Sequence, residues 1–144
     1  MNRTLKDDLE LARNAARSAI AEKYDREGAS NTANNIRAGL YDDANSKMGQ
    51  SPELKAAYAG AEATVRAMWR AELLVYVREA CKNGSSNGFA ADIAAATDAE
   101  LADDLYEKDS DVADWVDSYD MGGNNGMTVL TGVIKELRRE RLIP

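Results

Sequence analysis

Leu5, Leu9, Ala12, Ala16, Ile20 and Tyr24 recur at steps of three or four residues. That spacing lays one apolar stripe along an α-helix. Thr4 precedes the stripe as a cap, and Gly28 follows it as a C-terminal stop. Ser30 or Asn31 opens a second helix, with Ile36, Leu40 and Ala44 inward and Gly49 closing it. The chain then restarts at "SPEL". Ser51 is placed to cap, Pro52 suits the first helical position, and Glu53 favours the positive end of the helix dipole. Nothing interrupts the pattern until "NGSSNG" at 83–88, which predicts a helix of about 30 residues and about 45 Å. Its first half is amphipathic through Leu54, Tyr58, Ala61, Val65 and Met68. Its second half contains "LLVYV" at 73–77, apolar on every side. A helix apolar all round is normally buried, so this segment is predicted to be the central core helix.

A small helix is predicted from about Asn87 to Ala96, with Phe89 and Ile93 inward. "MGGNNGM" reads as a loop. The last helix is predicted from Thr128 to Leu142, with Leu130, Val133, Ile134, Leu137 and Leu142 as its apolar set. These elements predict an all-α, single-domain helical bundle of about six helices around a long central helix at about 51–82. Basic-to-neutral helices occupy 4–83, a hinge 83–88, an acidic two-helix segment 97–120, and a C-terminal helix 128–142.

Charge adds what periodicity does not. The chain of 144 residues carries a net charge of −7, and "TDAELADDLYEKDSDVADWVDSYD", residues 97–120, holds ten carboxylates against one lysine. Everything outside it is close to neutral. The stretch is not a featureless tail. Thr97 and Glu100 fit a capping box that starts a helix at Asp98. Leu101, Ala102, Leu105 and Tyr106 share one side of that helix, and Glu100, Asp103, Asp104 and Glu107 the other. Asp109 or Ser110 caps a second short helix. There Val112, Trp115, Val116 and Tyr119 face one way, and Asp111, Asp114 and Asp117 the other. Like charges three or four residues apart destabilise a helix by some tenths of a kcal/mol per pair. Burial of the apolar faces, at about 1.5–3 kcal/mol per fully buried side chain, outweighs that.

Composition then removes whole classes of chemistry. Histidine is absent, which excludes Ser-His-Asp and Cys-His catalysis and the zinc sites that mix His with Cys or carboxylate. The single cysteine, Cys81, forms no intramolecular disulfide and suits a reducing compartment. It sits near the end of the long helix, where the dipole disfavours a thiolate, and reads as a core or border residue. The start "MNRTLKDDLELARN" has no apolar signal region, and no apolar run is long enough to cross a membrane. The expected location is cytoplasmic. A negative net charge disfavours direct binding to nucleic acid or anionic lipid.

Three candidate sites fail on their own chemistry. A calcium loop beginning at Asp109 would put Asp114 where glycine is required and Ala113 where an oxygen is required. "GGNNGMT" lacks the lysine and the glycine spacing of a phosphate loop. The paired carboxylates sit on outer faces, where nothing raises a pKa toward neutrality for acid–base catalysis. Trp69 and Trp115 follow helical spacing and read as core. No catalytic residue, metal or cofactor is expected.

The leading expectation is a non-enzymatic protein-binding module. Glu100, Asp103, Asp104, Glu107, Asp111, Asp114 and Asp117 would meet a basic, nucleic-acid-binding protein and inhibit it by occupying its nucleic-acid site. Carboxylates on adjacent helical turns lie about 5–6 Å apart, comparable to phosphate spacing along a strand. In charge pattern and size the chain resembles the DNA-mimic inhibitors made by phages and mobile elements. A second reading is a self-associating helical accessory protein, with "WRAELLVYV" supplying a subunit interface and the acidic face merely solvated. A third has Lys135, Arg138, Arg139 and Arg141 of the last helix pairing with the acidic helices of the same or a neighbouring copy. An enzyme using the surface carboxylates is the remaining alternative.

Overall fold

In a computed structural model of the chain, residues 3–42, 51–82, 93–120 and 125–144 are described. They form α1 (Leu5–Arg26), α2 (Ser30–Arg37), α3 (Pro52–Lys82), a 3-10 turn (Ile93–Ala95), α4 (Asp98–Lys108), α5 (Ser110–Asp120) and α6 (Gly126–Arg139). No strand occurs among the described residues, and the all-α expectation with its long helix holds. No described helix is long and apolar enough to cross a membrane. Contacts group the chain into two compact units: Asp7–Arg66, and Met1–Lys6 with Ala67–Pro144. Helix α3 contributes residues to both.

In the Asp7–Arg66 unit, α1 runs antiparallel to the first part of α3. Arg13 pairs with Glu62 at 3.1 Å, Arg17 Nε donates to the Tyr58 hydroxyl at 3.0 Å, and Lys23 pairs with Glu53 at 2.9 Å. Ala21, Ala33, Ile36, Leu54 and Tyr58 are buried between the helices, with Ala16, Ile20, Tyr24 and Tyr41 against them. Gly28 ends α1 as expected. Its φ is +80°, and the turn closes with Gly28 N–H on Asp25 O at 3.1 Å and Ala29 N–H on Tyr24 O at 2.8 Å. A left-handed residue at this position satisfies carbonyls that the helix end would leave unpaired, and glycine adopts it without a side-chain clash.

The second helix is shorter than predicted. It stops at Arg37 because Gly39, at φ +79°, makes the same kind of turn: Gly39 N–H bonds Ile36 O and Leu40 N–H bonds Asn35 O. Leu40 is therefore 42% exposed rather than inward. Ala44 and Gly49 lie outside the described residues. Beyond the turn, Asp42 closes a polar triangle. The Tyr58 hydroxyl donates to Asp42 Oδ1 at 2.6 Å, and Arg17 Nη2 donates to Asp42 Oδ2. Burial and the Asp42 bond push the Tyr58 hydroxyl up, while Arg17 opposes them.

Ser51 caps α3 as expected, its Oγ accepting from Leu54 N–H at 3.3 Å. The buried stripe of α3 then runs Leu54, Tyr58, Trp69, Leu73, Val77, Ala80 and Cys81. Two expectations fail here. Met68 is 60% exposed and Val75 is 58% exposed, so "LLVYV" is not buried all round. Leu73 and Val77 are four residues apart and share the inner face. Val75, two residues from each, turns about 200° away from it.

In the other unit, α4, α5 and α6 pack on one another. Their core holds Leu101, Leu105, Val112, Trp115, Val116, Leu130, Val133, Ile134 and Leu137. Trp69 and Trp115 are buried as expected, with ring centroids 5.9 Å apart. The Trp115 indole N–H donates to Trp69 O at 2.8 Å, which satisfies the one polar atom of that side chain. Tyr119 stacks on Trp115 at 4.8 Å.

The last helix spans Gly126–Arg139 rather than 128–142. Asn125 caps its start, Oδ1 accepting from Thr128 N–H at 3.0 Å. Arg141, at φ 58°, turns the chain at its end, with Arg141 N–H on Arg138 O and Leu142 N–H on Leu137 O. That turn swaps the expected inward residue: Leu142 is 45% exposed and Ile143 is buried. The hinge at 83–88 and Phe89 of the predicted small helix lie outside the described residues. Of that helix, Ile93–Ala95 is a 3-10 turn, and Ile93 is half-buried.

Candidate functional site

The acidic stretch is two helices tied to a core. Thr97 and Glu100 form the predicted capping box: Glu100 N–H donates to Thr97 Oγ1 at 3.1 Å, and Thr97 N–H to Glu100 Oε1 at 3.2 Å. Asp109 ends α4 and caps α5, its Oδ1 accepting from Val112 N–H at 3.0 Å. The inner faces bury Leu101, Ala102 and Leu105 of α4 and Val112, Trp115, Val116 and Tyr119 of α5. Tyr106 departs from the expected inner set. It is 38% exposed, and its hydroxyl donates to Asp117 Oδ1 at 2.8 Å. That bond to a carboxylate pushes the phenol up from its ordinary value.

With the inner faces fixed, the carboxylates fall on the other side. Glu100, Asp103, Glu107, Asp111, Asp114 and Asp117 are exposed, and Asp104 is half-buried. They are not equivalent. Glu100 completes the capping box and Asp117 holds Tyr106. Glu107 lies 3.9 Å from Lys108. Asp114 also has a partner. Asp103, Asp104 and Asp111 form no ion pair among the described residues, so they are the carboxylates least committed to local structure.

The positions weighed as a calcium loop, Asp109 to Asp120, are a cap followed by an unbroken helix. A helix points the Asp111, Asp114 and Asp117 carboxylates outward in a row rather than converging them on one point. Among the described residues no three carboxylate or thiol side chains converge as a metal site would require.

One of the sequence readings pairs the basic end of the last helix with the acidic helices of the same or a neighbouring copy, and one such pair forms within the chain. Arg138 Nη1 meets Asp98 Oδ1 at 2.7 Å, Nη2 donates to Ile93 O at 2.7 Å, and Nε donates to Pro144 O at 2.9 Å. One guanidinium thus ties the 3-10 turn, the start of α4 and the C-terminal residues to α6. The two carbonyl partners had no sequence signal, because nothing in a sequence marks a backbone oxygen as an acceptor, whether 45 residues away at Ile93 or 6 at Pro144. Among the described residues, Lys135, Arg139 and Arg141 form no ion pair with the acidic helices. Arg138 therefore engages the first turn of α4 and leaves the outer row of carboxylates in place.

A second junction escaped sequence reading. Asp120, the last residue of α5, accepts from Gly126 N–H at the first residue of α6. A Cβ at Gly126 would stand 2.8 Å from Val116 O and 3.1 Å from Val116 Cα. Glycine is required there so that α6 can begin against the backbone of α5. "MGGNNGM" read as loop because its glycines and asparagines are turn formers, and nothing in the pattern singles out this one.

Cys81 is buried, and burial pushes its thiol up to about 11, with Asp109 adding to the shift and Arg138 opposing it. It is a protonated border residue of the core at neutral pH, in keeping with its sequence reading.

The site is a charged surface on two packed helices, able to present an array of negative charge, with Asp103 also lining a shallow groove beside Thr128, Thr131 and Lys135 of α6. Comparison with known proteins finds no matching family model, no similar curated protein and no similar solved structure.

Proposed function

We propose that the chain is a non-enzymatic binding module. It presents the outer carboxylates of α4 and α5 to a basic, nucleic-acid-binding protein and inhibits that protein by occupying its nucleic-acid site. One observation carries the reading: six of the seven predicted carboxylates are exposed on helices whose opposite faces, Tyr106 apart, are packed in a core. Charge held in place this way loses little conformational freedom on binding. It would also steer a basic partner to rapid, salt-sensitive association.

The partner is found by affinity capture from the native host and binding is then measured against salt. The informative variant replaces Asp103, Asp104 and Asp111 with Asn and Glu107 with Gln. It spares the caps Glu100 and Asp109, so helicity is retained. The expected result is at least a tenfold loss of affinity and a shallower dependence on salt. A captured partner that binds this variant as tightly as the parent, with the same salt dependence, overturns the proposal.

A further inference from the structure

We draw no further inference here: the strongest candidate, the uncharged exposed face that helix α3 carries from Ala56 to Val75, is a stripe made mostly of small residues, and nothing in the structure shows what covers it.

Discussion

Replacing Gly126 and Gly132 with alanine should change stability in opposite directions, although both lie on α6. Gly132 has open space where a Cβ would go and sits inside the helix. Alanine there removes the cost of glycine in a helix interior, a gain of about 0.8–1 kcal/mol. Gly126 is buried, and its new Cβ would stand 2.8 Å from the Val116 carbonyl oxygen. The obstacle is backbone inside α5, which cannot rotate away as a side chain could. Forcing a methyl group into such a site costs about 1–3 kcal/mol, and the shift also strains the Gly126–Asp120 bond. The two variants should therefore differ by about 2–4 kcal/mol. Urea unfolding followed by tryptophan fluorescence suits the test, because Trp69 and Trp115 are 1% and 0% exposed and their emission shifts to the red when water reaches them. With a slope of about 1–3 kcal/mol per molar urea, the midpoints should separate by roughly 1 M or more. If Gly126→Ala matches or exceeds the parent at unchanged slope, the close approach of α6 to α5 is refuted.

Thr97→Ala should cost about 1 kcal/mol by opening the capping box, whereas Thr97→Ser should cost far less; equal losses in thermal unfolding would contradict the cap. Arg138→Met strands Asp98 and the Ile93 carbonyl, both partly buried, and should cost about 1–3 kcal/mol. A double-mutant cycle with Asp98→Asn should return a coupling energy clearly above zero, and strict additivity would show that the ion pair contributes nothing. For Cys81 the folded thiol titrates at about 11 rather than the ordinary 9. Between those values the unfolded chain loses its proton before the folded one does, so this group's contribution is intact below pH 9 and is lost as pH rises through 11. The loss is on the order of 2–3 kcal/mol. A Cys81→Ala variant should show a decline smaller by that amount in denaturation curves taken at rising pH, the remainder coming from phenols such as Tyr58 whose pKa is also raised, and the native thiol should react only slowly with a thiol reagent at neutral pH.

The parts of the fold legible in the sequence were those set by neighbours within one helical turn. Ser51, the Thr97–Glu100 box and Gly28 read as caps or stops from local chemistry, and each makes the bond that chemistry requires; of the two candidates Asp109 and Ser110, the structure selects Asp109. The inner and outer faces of α4 and α5 followed from a 100° step, apart from Tyr106. What was not legible depended on residues far along the chain. "LLVYV" is compatible with any face being buried, and only its packing decides that Leu73 and Val77 turn inward and Val75 outward. The apolar pattern running past Gly39 hid the stop at that glycine. Leu142 continued the helical period, but a left-handed Arg141 broke it and sent Ile143 inward. The Arg17–Tyr58–Asp42 triangle joins residues 16 to 41 positions apart, a distance at which charge pattern alone selects no partner.

The energetics of the acidic surface bear on what it can do. Glu100 with Asp103 and Asp104, Asp103 with Glu107, and Asp111 with Asp114 are like-charge neighbours at helical spacing, each opposing helix formation by some tenths of a kcal/mol. Leu101, Leu105, Val112, Trp115 and Val116 are each no more than 1% exposed, and each contributes about 1.5–3 kcal/mol on burial. The helices are therefore held by their inner faces against a smaller outward repulsion. Two consequences separate this arrangement from an acidic tail. Removing outer charges should leave the fold intact or slightly more stable, so any loss of binding can be assigned to the charges themselves. The array also needs no partner to become ordered, so a basic surface meeting it has only to match its spacing and sign. A tail of equal charge would pay for ordering on contact and would bind less selectively for shape. If the surface is used, its selectivity therefore resides in where Asp103, Asp104 and Asp111 are held, and moving one of them by a turn should cost more than deleting a carboxylate from a disordered segment would.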